Sequence, residues 1–230
     1  MKLFYDLHIH SALSPCGDID MTPNNIVNMS VLKGLDVIAV TDHNSIKNVN
    51  SVIEVAKNTE LLVIPAMEVE SAEGVHIITL FKDVKSAEVA YCEIYKNLPD
   101  IKNDKEIFGE QLIMDELDNV IDEELKLLVN STLLNFDDLV QLTRSVGGIA
   151  IPAHVDRSSY SVLSNLGAVP EMDFKYLELS KNANKDMFEY LGYKFIRNSD
   201  AHYLYDIFEA ENYLECRDKT INSVFETLNN

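Results

Sequence analysis

The sequence predicts an α/β fold built around a parallel sheet or barrel. Short apolar runs of strand length alternate with segments that carry apolar residues at helical spacing. In such alternating chains the connecting helices cover the strands on both faces, so the strands appear as continuous apolar runs. A length of 230 residues suits one large domain whose core is big enough to fold without disulfides.

Seven apolar runs are the predicted strands. Each has four to seven residues and is bounded by polar or turn-forming positions. In chain order they are Leu3 to Ile9, Asp36 to Thr41, Leu61 to Met67, Val75 to Phe81, Gly148 to Pro152, Tyr176 to Leu179 and Lys194 to Ser199.

Helices are predicted in the gaps between these strands. Thr22-Pro23 is an N-cap followed by proline at the first helical position, and that helix ends near Gly34. Three further segments have apolar residues at helical spacing, namely Ser45 to Lys57, Ala87 to Asn97 and Phe136 to Val146. The acidic segment Asn103 to Leu128 interrupts the alternation. It is interpreted as a small hairpin-like insertion, about residues 103–128, within a single domain over residues 1–230.

Composition limits the function classes. The apolar fraction of 47% is that of a soluble protein, and neither an apolar stretch of about 18 residues nor a signal peptide is present, so a cytoplasmic protein without membrane contact is expected. Three widely spaced cysteines favour reduced thiols. Because nucleic-acid binding depends on Lys and Arg, the net charge of -19 predicts no grip on long nucleic acid.

All six histidines fall in short motifs at or just after the strand-like runs. The motifs are D-L-H-I-H with His8 and His10, T-D-H-N with His43, G-V-H-I-I with His76, I-P-A-H with His154 and N-S-D-A-H with His202. Histidine is the commonest metal ligand, and a chain that places all of its histidines this way predicts a metal site.

Strand geometry explains how these residues converge. His8 and His10 are two positions apart on a strand, so both rings project from one face, and Asp200 and His202 repeat that spacing. Glu68 lies at the end of the third predicted strand. Functional residues in βα folds gather at the carboxyl ends of strands. Imidazole and carboxylate ligands together suit zinc, manganese or iron.

Several neighbouring residues have a structural interpretation beside the functional one. A single histidine at a strand edge is more often structural, and only the set of six reverses that expectation. Asp18 and Asp20 are loop acids before a helix N-terminus, where negative charge is favoured in any case. Glu70 is interpreted as a solvated neighbour of Glu68. Cys16 is a candidate ligand, but it is interpreted as a small loop residue. Arg157 is either a surface charge or a phosphate binder.

The motif set D-L-H-I-H-S, A-V-T-D-H-N, P-A-M-E-V-E, G-V-H-I-I, I-P-A-H and N-S-D-A-H, in that order, resembles the PHP (polymerase and histidinol phosphatase) family. The resemblance covers Lys2 to about Leu214. It implies a distorted (β/α)7 TIM-like barrel with a site for up to three divalent ions (Mn, Zn or Fe) at the carboxyl ends of the strands.

The resemblance also implies three ligand sets. Family members commonly read S-D-G in the first loop, whereas this chain reads S-P-C-G-D-I-D, in which Asp18 keeps the family's offset from Pro23 and Asp20 does not. The implied sets are His8, His10, Glu68 and Asp200 for the first ion, Glu68, His76 and His154 for the second, and Asp18, His43 and His202 for the third.

The implied activity is hydrolysis of a small phosphate mono- or diester by a metal-activated hydroxide. The substrate would be a phosphorylated metabolite, a nucleotide or a short oligonucleotide, and Arg157 would help to neutralise its phosphoryl oxygens. Asp6, Asp42 and Asn198 flank ligands and are expected to orient imidazoles. Two alternatives stay open: an amidohydrolase-type metallohydrolase, which also begins with H-x-H, and an inactive, metal-stabilised regulatory module.

Overall fold

The computed structural model describes residues 1–230, and all seven predicted strands form. The strands are β1 (Lys2–Ile9), β2 (Val37–Val40), β3 (Leu62–Glu70), β4 (His76–Leu80), β5 (Leu112–Met114), β6 (Val120–Glu123), β7 (Ile149–Pro152), β8 (Tyr176–Leu179), β9 (Lys194–Arg197) and β10 (Tyr213–Glu215). The α-helices are α1 (Pro23–Leu32), α2 (Val49–Ala56), α3 (Val84–Lys96), α4 (Lys105–Phe108), α5 (Phe136–Ser145), α6 (Val162–Leu166) and α7 (Ile221–Leu228).

The main sheet has six strands in the order β10-β1-β2-β3-β4-β7, and it is curled into a half-barrel. Strands β1, β2 and β3 are parallel, but β4 is antiparallel to both β3 and β7. The prediction of an all-parallel sheet is therefore wrong at β4. The five residues between β3 and β4 are too few for the crossover that two parallel strands require.

The pairing of the strands does not form the full (β/α)7 barrel that the resemblance implies. Strands β8 and β9 form a separate parallel pair, and the last of the chain's strands, β10, lies antiparallel on the outer edge of β1. Beyond β10, the same edge of β1 is paired through one isolated bridge, between Ile9 at the end of β1 and Ala201. Because Ala201 lies in the loop after β9, this bridge brings that loop to the carboxyl end of β1.

Apolar side chains on both faces of the sheet hold the strands in place. On β1, Leu7 packs in one core with Ala39 and Ile64, and Ile9 packs in another with Ile38. A third core lies under α3 and α5. Burying a large aliphatic side chain stabilises the fold by about 1.5–3 kcal/mol. The strand ends that carry the histidines are thus part of a rigid scaffold.

The segment of residues 103–128 packs against the loop that follows β1. Its strands β5 and β6 form an antiparallel hairpin, and the backbone of Leu112 donates a hydrogen bond to Ala12 O (2.8 Å). The carboxylate of Asp118 accepts hydrogen bonds from Thr22 Oγ1 (2.7 Å) and from the backbone of Asn24 (3.0 Å) at the start of α1. The segment therefore braces the first motif. That it is an insertion in a single domain stays a prediction.

None of the helices combines the length and the apolar character that a membrane span requires.

Candidate metal centre

The structure brings all six histidines together at one edge of the sheet. His76 reaches this edge from the beginning of β4, because β4 runs antiparallel to β3 and its first residue pairs with Glu70. Neighbouring ring centroids are 4.4–6.1 Å apart. Around the site the order is His202, His10, His8, His154, His76 and His43.

Glu68 lies at the centre of the cluster. Glu68 lies two residues before the end of β3, where a parallel bridge pairs it with His43, and it is 1% exposed. Its two carboxylate oxygens lie 2.8–3.4 Å from ring nitrogens of five histidines, which are His8, His10, His43, His76 and His154. One carboxylate therefore has the position from which it can serve more than one cation.

Asp200 occupies the other side of His8 and His10. Its Oδ1 lies 3.3 Å from His8 Nε2 and 3.1 Å from His10 Nε2, and these two nitrogens are 3.3 Å from each other. The backbone of Asp200 has φ +52°, and that of His154 has φ +28°. Such conformations cost a non-glycine residue about 1–3 kcal/mol and are typical of functional sites.

Glu178 supports the site and was not predicted from the sequence. It lies 3.0 Å from His8 Nδ1, accepts a hydrogen bond from the backbone of His154 (2.8 Å), and accepts another from Asn198 Nδ2 (2.8 Å). It is buried. The signal that would have revealed it is an acid between Leu177 and Leu179 in a buried strand, since a carboxylate is rarely buried without a partner.

The three polar residues expected to orient imidazoles differ in whether they reach a ring at all. Asp42 reaches His10 indirectly, because Ser14 Oγ donates to Asp42 Oδ1 (2.7 Å) and lies 2.9 Å from His10 Nδ1. Asn198 reaches His8 through Glu178. Asp6 contacts no imidazole and instead accepts hydrogen bonds from the backbone amides of residues 199 and 208. Asp6 therefore holds the loop after β9, not a ring.

A pocket of about 230 Å³ opens above the cluster. Arg157 lies at its mouth, 43% exposed, with Nη2 2.6 Å from Asp200 Oδ2. Tyr160 forms a wall by stacking on His76, with ring centroids 4.8 Å apart. The interpretation of Glu70 as a solvated residue is wrong: it is 6% exposed, lines the pocket and lies 3.4 Å from His76 Nε2. Its position at the β3–β4 turn, covered by Ser131, removes it from solvent.

The loop after β1 places Cys16 in the cluster and leaves Asp18 out of it. The thiol of Cys16 and ring nitrogens of His10, His43 and His202 all lie within 4.8 Å of one another. Asp18 belongs to no such group, and its carboxylate accepts a hydrogen bond from the backbone of residue 20 (2.9 Å). Asp20 is exposed. The two other compact groups are His8, His10 and Asp200, and His43, Glu68 and His76.

The residues present fit divalent cations. The buried nitrogens His43 Nδ1 and His154 Nδ1 have no hydrogen-bond partner, and an unpartnered buried polar atom costs about 1–3 kcal/mol. Burial opposes ionisation of Glu68 and Asp200, but the surrounding histidines outweigh it and hold the pKa of each carboxyl well below its usual range. Ionised carboxylates beside unpartnered imidazoles form the donor set that zinc, manganese and iron prefer.

Most of the chain matches the model of one known protein family. Residues 6–182 match the family model of the PHP domain. An uncharacterised protein of Methanocaldococcus jannaschii, MJ1587, is 34% identical over 84 residues, which are 33% of this chain and 48% of that protein. The chain thus spans about half the length of this curated relative.

Solved structures share the fold. Endonuclease Q of Pyrococcus furiosus, a lesion-specific endonuclease, has a TM-score of 0.75 at 19% identity over 100% of this chain and 56% of its own. A complex of endonuclease Q with a 27-mer duplex bearing an abasic lesion at the active site has a TM-score of 0.70 at 19% identity, over 99% and 56%. An amidohydrolase from Chromobacterium violaceum has a TM-score of 0.60 at 17% identity, over 97% and 96%.

These neighbours contradict the expectation of a small phosphorylated substrate with no grip on long nucleic acid. Endonuclease Q, which shares the fold of this chain, binds a DNA duplex. The expectation rested on the net charge of -19, which averages over the whole surface. Binding of a polyanion depends on the local charge where it docks, and cations in a pocket contribute to that charge.

Proposed function

The chain belongs to the PHP domain family, and from this membership we propose that it is a metal-dependent hydrolase that cleaves phosphate esters with cations held by the histidine cluster. The observation that carries the proposal is the placement of Glu68. Glu68 lines an open pocket, and its oxygens lie within 3.4 Å of ring nitrogens of five histidines. Bound divalent cations supply charge that activates water and neutralises phosphoryl oxygens.

The protein's own residues position the reaction. His8, His10 and Asp200 would hold one cation, Glu68 with His76 and His154 a second, and His43 and His202 with the loop after β1 a third. Glu178 fixes the ring of His8, and the chain from Asp42 through Ser14 fixes the ring of His10. Fixed ligands need no reorganisation when charge develops on the phosphoryl group.

Arg157 is the candidate for binding the substrate. Its guanidinium is charged at all working pH values and is partly exposed at the pocket mouth, where a phosphoryl oxygen would arrive. Its contact with Asp200 keeps the side chain over the cluster. It would therefore orient the phosphate and exchange part of its ion pair for the substrate.

A nuclease-like reaction on DNA is a second candidate, favoured by the likeness to endonuclease Q over the full length of this chain. A DNA backbone presents the same phosphodiester group to the cations as a small diester does. The amidohydrolase-type alternative also stays open, since one structural neighbour is an amidohydrolase.

An activity panel tests these proposals. It would contain p-nitrophenyl phosphate, bis-p-nitrophenyl phosphate, a DNA duplex with an abasic site and an amide substrate, each with and without manganese. We expect metal-dependent cleavage of at least one phosphate ester and no amide cleavage. Cleavage of the amide alone would identify an amidohydrolase-type enzyme. If nothing were cleaved with metal bound, the inactive, metal-stabilised module would be supported.

Arg157→Ala is expected to reduce kcat/KM about 10–100-fold, mainly through KM, because a charge-assisted hydrogen bond contributes about 1.5–3 kcal/mol. Arg157→Lys should recover part of the loss, since it keeps the charge but not the planar fork. Steady-state kinetics on the best substrate of the panel would measure both. Arg217→Ala, at an exposed position, is the matched control. An unchanged KM in Arg157→Ala would show that Arg157 is a surface charge that does not bind the substrate.

Glu178→Gln is expected to weaken cation binding about 10–100-fold, the usual effect of losing the partner that orients a ligating histidine. Competition with a chromophoric chelator gives the affinity directly. Glu226→Gln removes an exposed carboxylate of the same size and should change nothing. An affinity within twofold of wild type would show that Glu178 serves the fold alone.

A further inference from the structure

The loop that follows β1 presents a thiol, not a carboxylate, to the histidine cluster. Cys16 Sγ lies within 4.8 Å of ligand nitrogens of His10, His43 and His202, and Cys16 lines the same pocket as His43 and His202. We propose that Cys16 is a thiolate ligand of the cation held by His43 and His202, and that this position selects zinc over manganese. The proposal rests on the proposed function, because it concerns a ligand of the same site.

The backbone of the loop fixes where Cys16 points. Gly17 N donates to Ser14 O (2.8 Å), and Asp18 N donates to His202 O (2.9 Å), so the loop is tied to both sides of the cluster. A Cβ at position 17 would lie 2.5 Å from Ser11 O, which only glycine avoids. The same turn that brings residue 16 inward directs the carboxylate of Asp18 to the backbone of residue 20.

His43 supplies an independent indication of a cation site beside Cys16. The residue is 6% exposed, and its Nδ1 makes no hydrogen bond although it lies 3.1 Å from Glu68 Oε2. A buried imidazole nitrogen without a partner is costly, and a coordinated cation would satisfy it. The thiol is the group that the first loop contributes to this cation, and it releases its proton to solvent on coordination.

The chemistry of sulfur determines which cation would be preferred. Thiolates are soft ligands that suit zinc, whereas manganese favours carboxylate, carbonyl and water oxygens. The imidazoles of His43 and His202 with one thiolate form a Cys-His set of the kind that zinc accepts in tetrahedral sites. The two other ligand groups contain only imidazole and carboxylate, so the preference should be confined to this one position.

Cobalt substitution tests the thiolate directly. The metal-free protein would be titrated with Co²⁺, and thiolate coordination would appear as sulfur-to-cobalt charge-transfer absorption in the near ultraviolet. We expect this band in wild type and in Cys92→Ser, and its loss in Cys16→Ser and Cys16→Asp. Cys92 is the matched control, because it is exposed on α3 and outside the ligand groups. Visible cobalt bands without the charge-transfer band in wild type would overturn the proposal.

Zinc affinity and thiol protection give two further readouts. We expect Cys16→Ser to lose at least about 10-fold in zinc affinity, the smallest effect typical of disturbing a ligand shell, and Cys16→Asp to lose the preference for zinc over manganese. In wild type, a thiol reagent should modify Cys16 and Cys92 in the metal-free form and only Cys92 with zinc, since Cys216 is buried. Equal labelling in both forms would contradict the proposal even if the variants failed to fold.

These measurements separate this proposal from the proposed function. A charge-transfer band with no hydrolysis in the activity panel would support Cys16 as a ligand and overturn the proposed phosphoesterase activity. Hydrolysis with cobalt bound but without the band would support the phosphoesterase activity and overturn the thiolate ligand. Absence of every cobalt band together with no hydrolysis in the activity panel would overturn both proposals.

Discussion

Glu68→Gln is expected to reduce turnover at least about 100-fold at saturating metal, more than any other single substitution in the site. That value is the upper end of the effect of losing a residue that merely orients a ligand. Glu68 touches the cluster directly, within 3.4 Å of nitrogens of five histidines, and it is buried. The substitution keeps the shape of the side chain and removes the negative charge that the cations would share.

The measurement is kcat with the best substrate of the activity panel, together with metal content and a thermal unfolding curve. Glu54→Gln is the matched control, because Glu54 is half-exposed in a surface ion pair with Lys57. We expect it to retain full activity, since such pairs contribute about 0–1 kcal/mol. If Glu68→Gln turned over substrate at a near-wild-type rate, Glu68 would not be shared between cations.

Removal of metal is expected to abolish activity, and addition of manganese, zinc or iron to restore it. Three ligand groups lie in one cluster, so elemental analysis of gently purified protein should find up to three ions per chain. Their loss should also lower the unfolding temperature, because a ligand that binds only the folded state stabilises it by mass action. At most one tightly bound ion, with no gain in activity on adding metal, would contradict a site for three cations.

The positions of the strands and the convergence of the histidines were open to sequence reasoning. Apolar runs give the strands because a sheet covered on both faces has little room for polar side chains. His8 and His10 share a face through the two-residue repeat of a strand, and the structure places their ring centroids 5.2 Å apart. Family membership followed from motif order and is confirmed over residues 6–182.

The direction of β4 and any capacity to bind nucleic acid were harder to predict from the sequence. The sequence does not show which way a strand runs, and β4 is antiparallel because a short turn joins it to β3. Net charge is a sum over the surface, and a neighbour with the same fold binds duplex DNA. The three-residue strand β10 and the short helix α6 are also too brief for a periodic pattern to emerge.

The sequence by itself determined which chemical groups are available: six imidazoles at strand ends, carboxylates beside them, and strands that point them to one edge. These properties depend on local spacing, which the chain carries wherever it folds. Only the tertiary structure decided that Cys16 faces the cluster while Asp18 turns away, and that Glu178 and Glu70 are buried beside histidines. Those outcomes depend on loop conformation and on contacts between residues far apart in the chain, such as Glu178 with His8 at a separation of 170 positions. Local spacing does not encode such contacts.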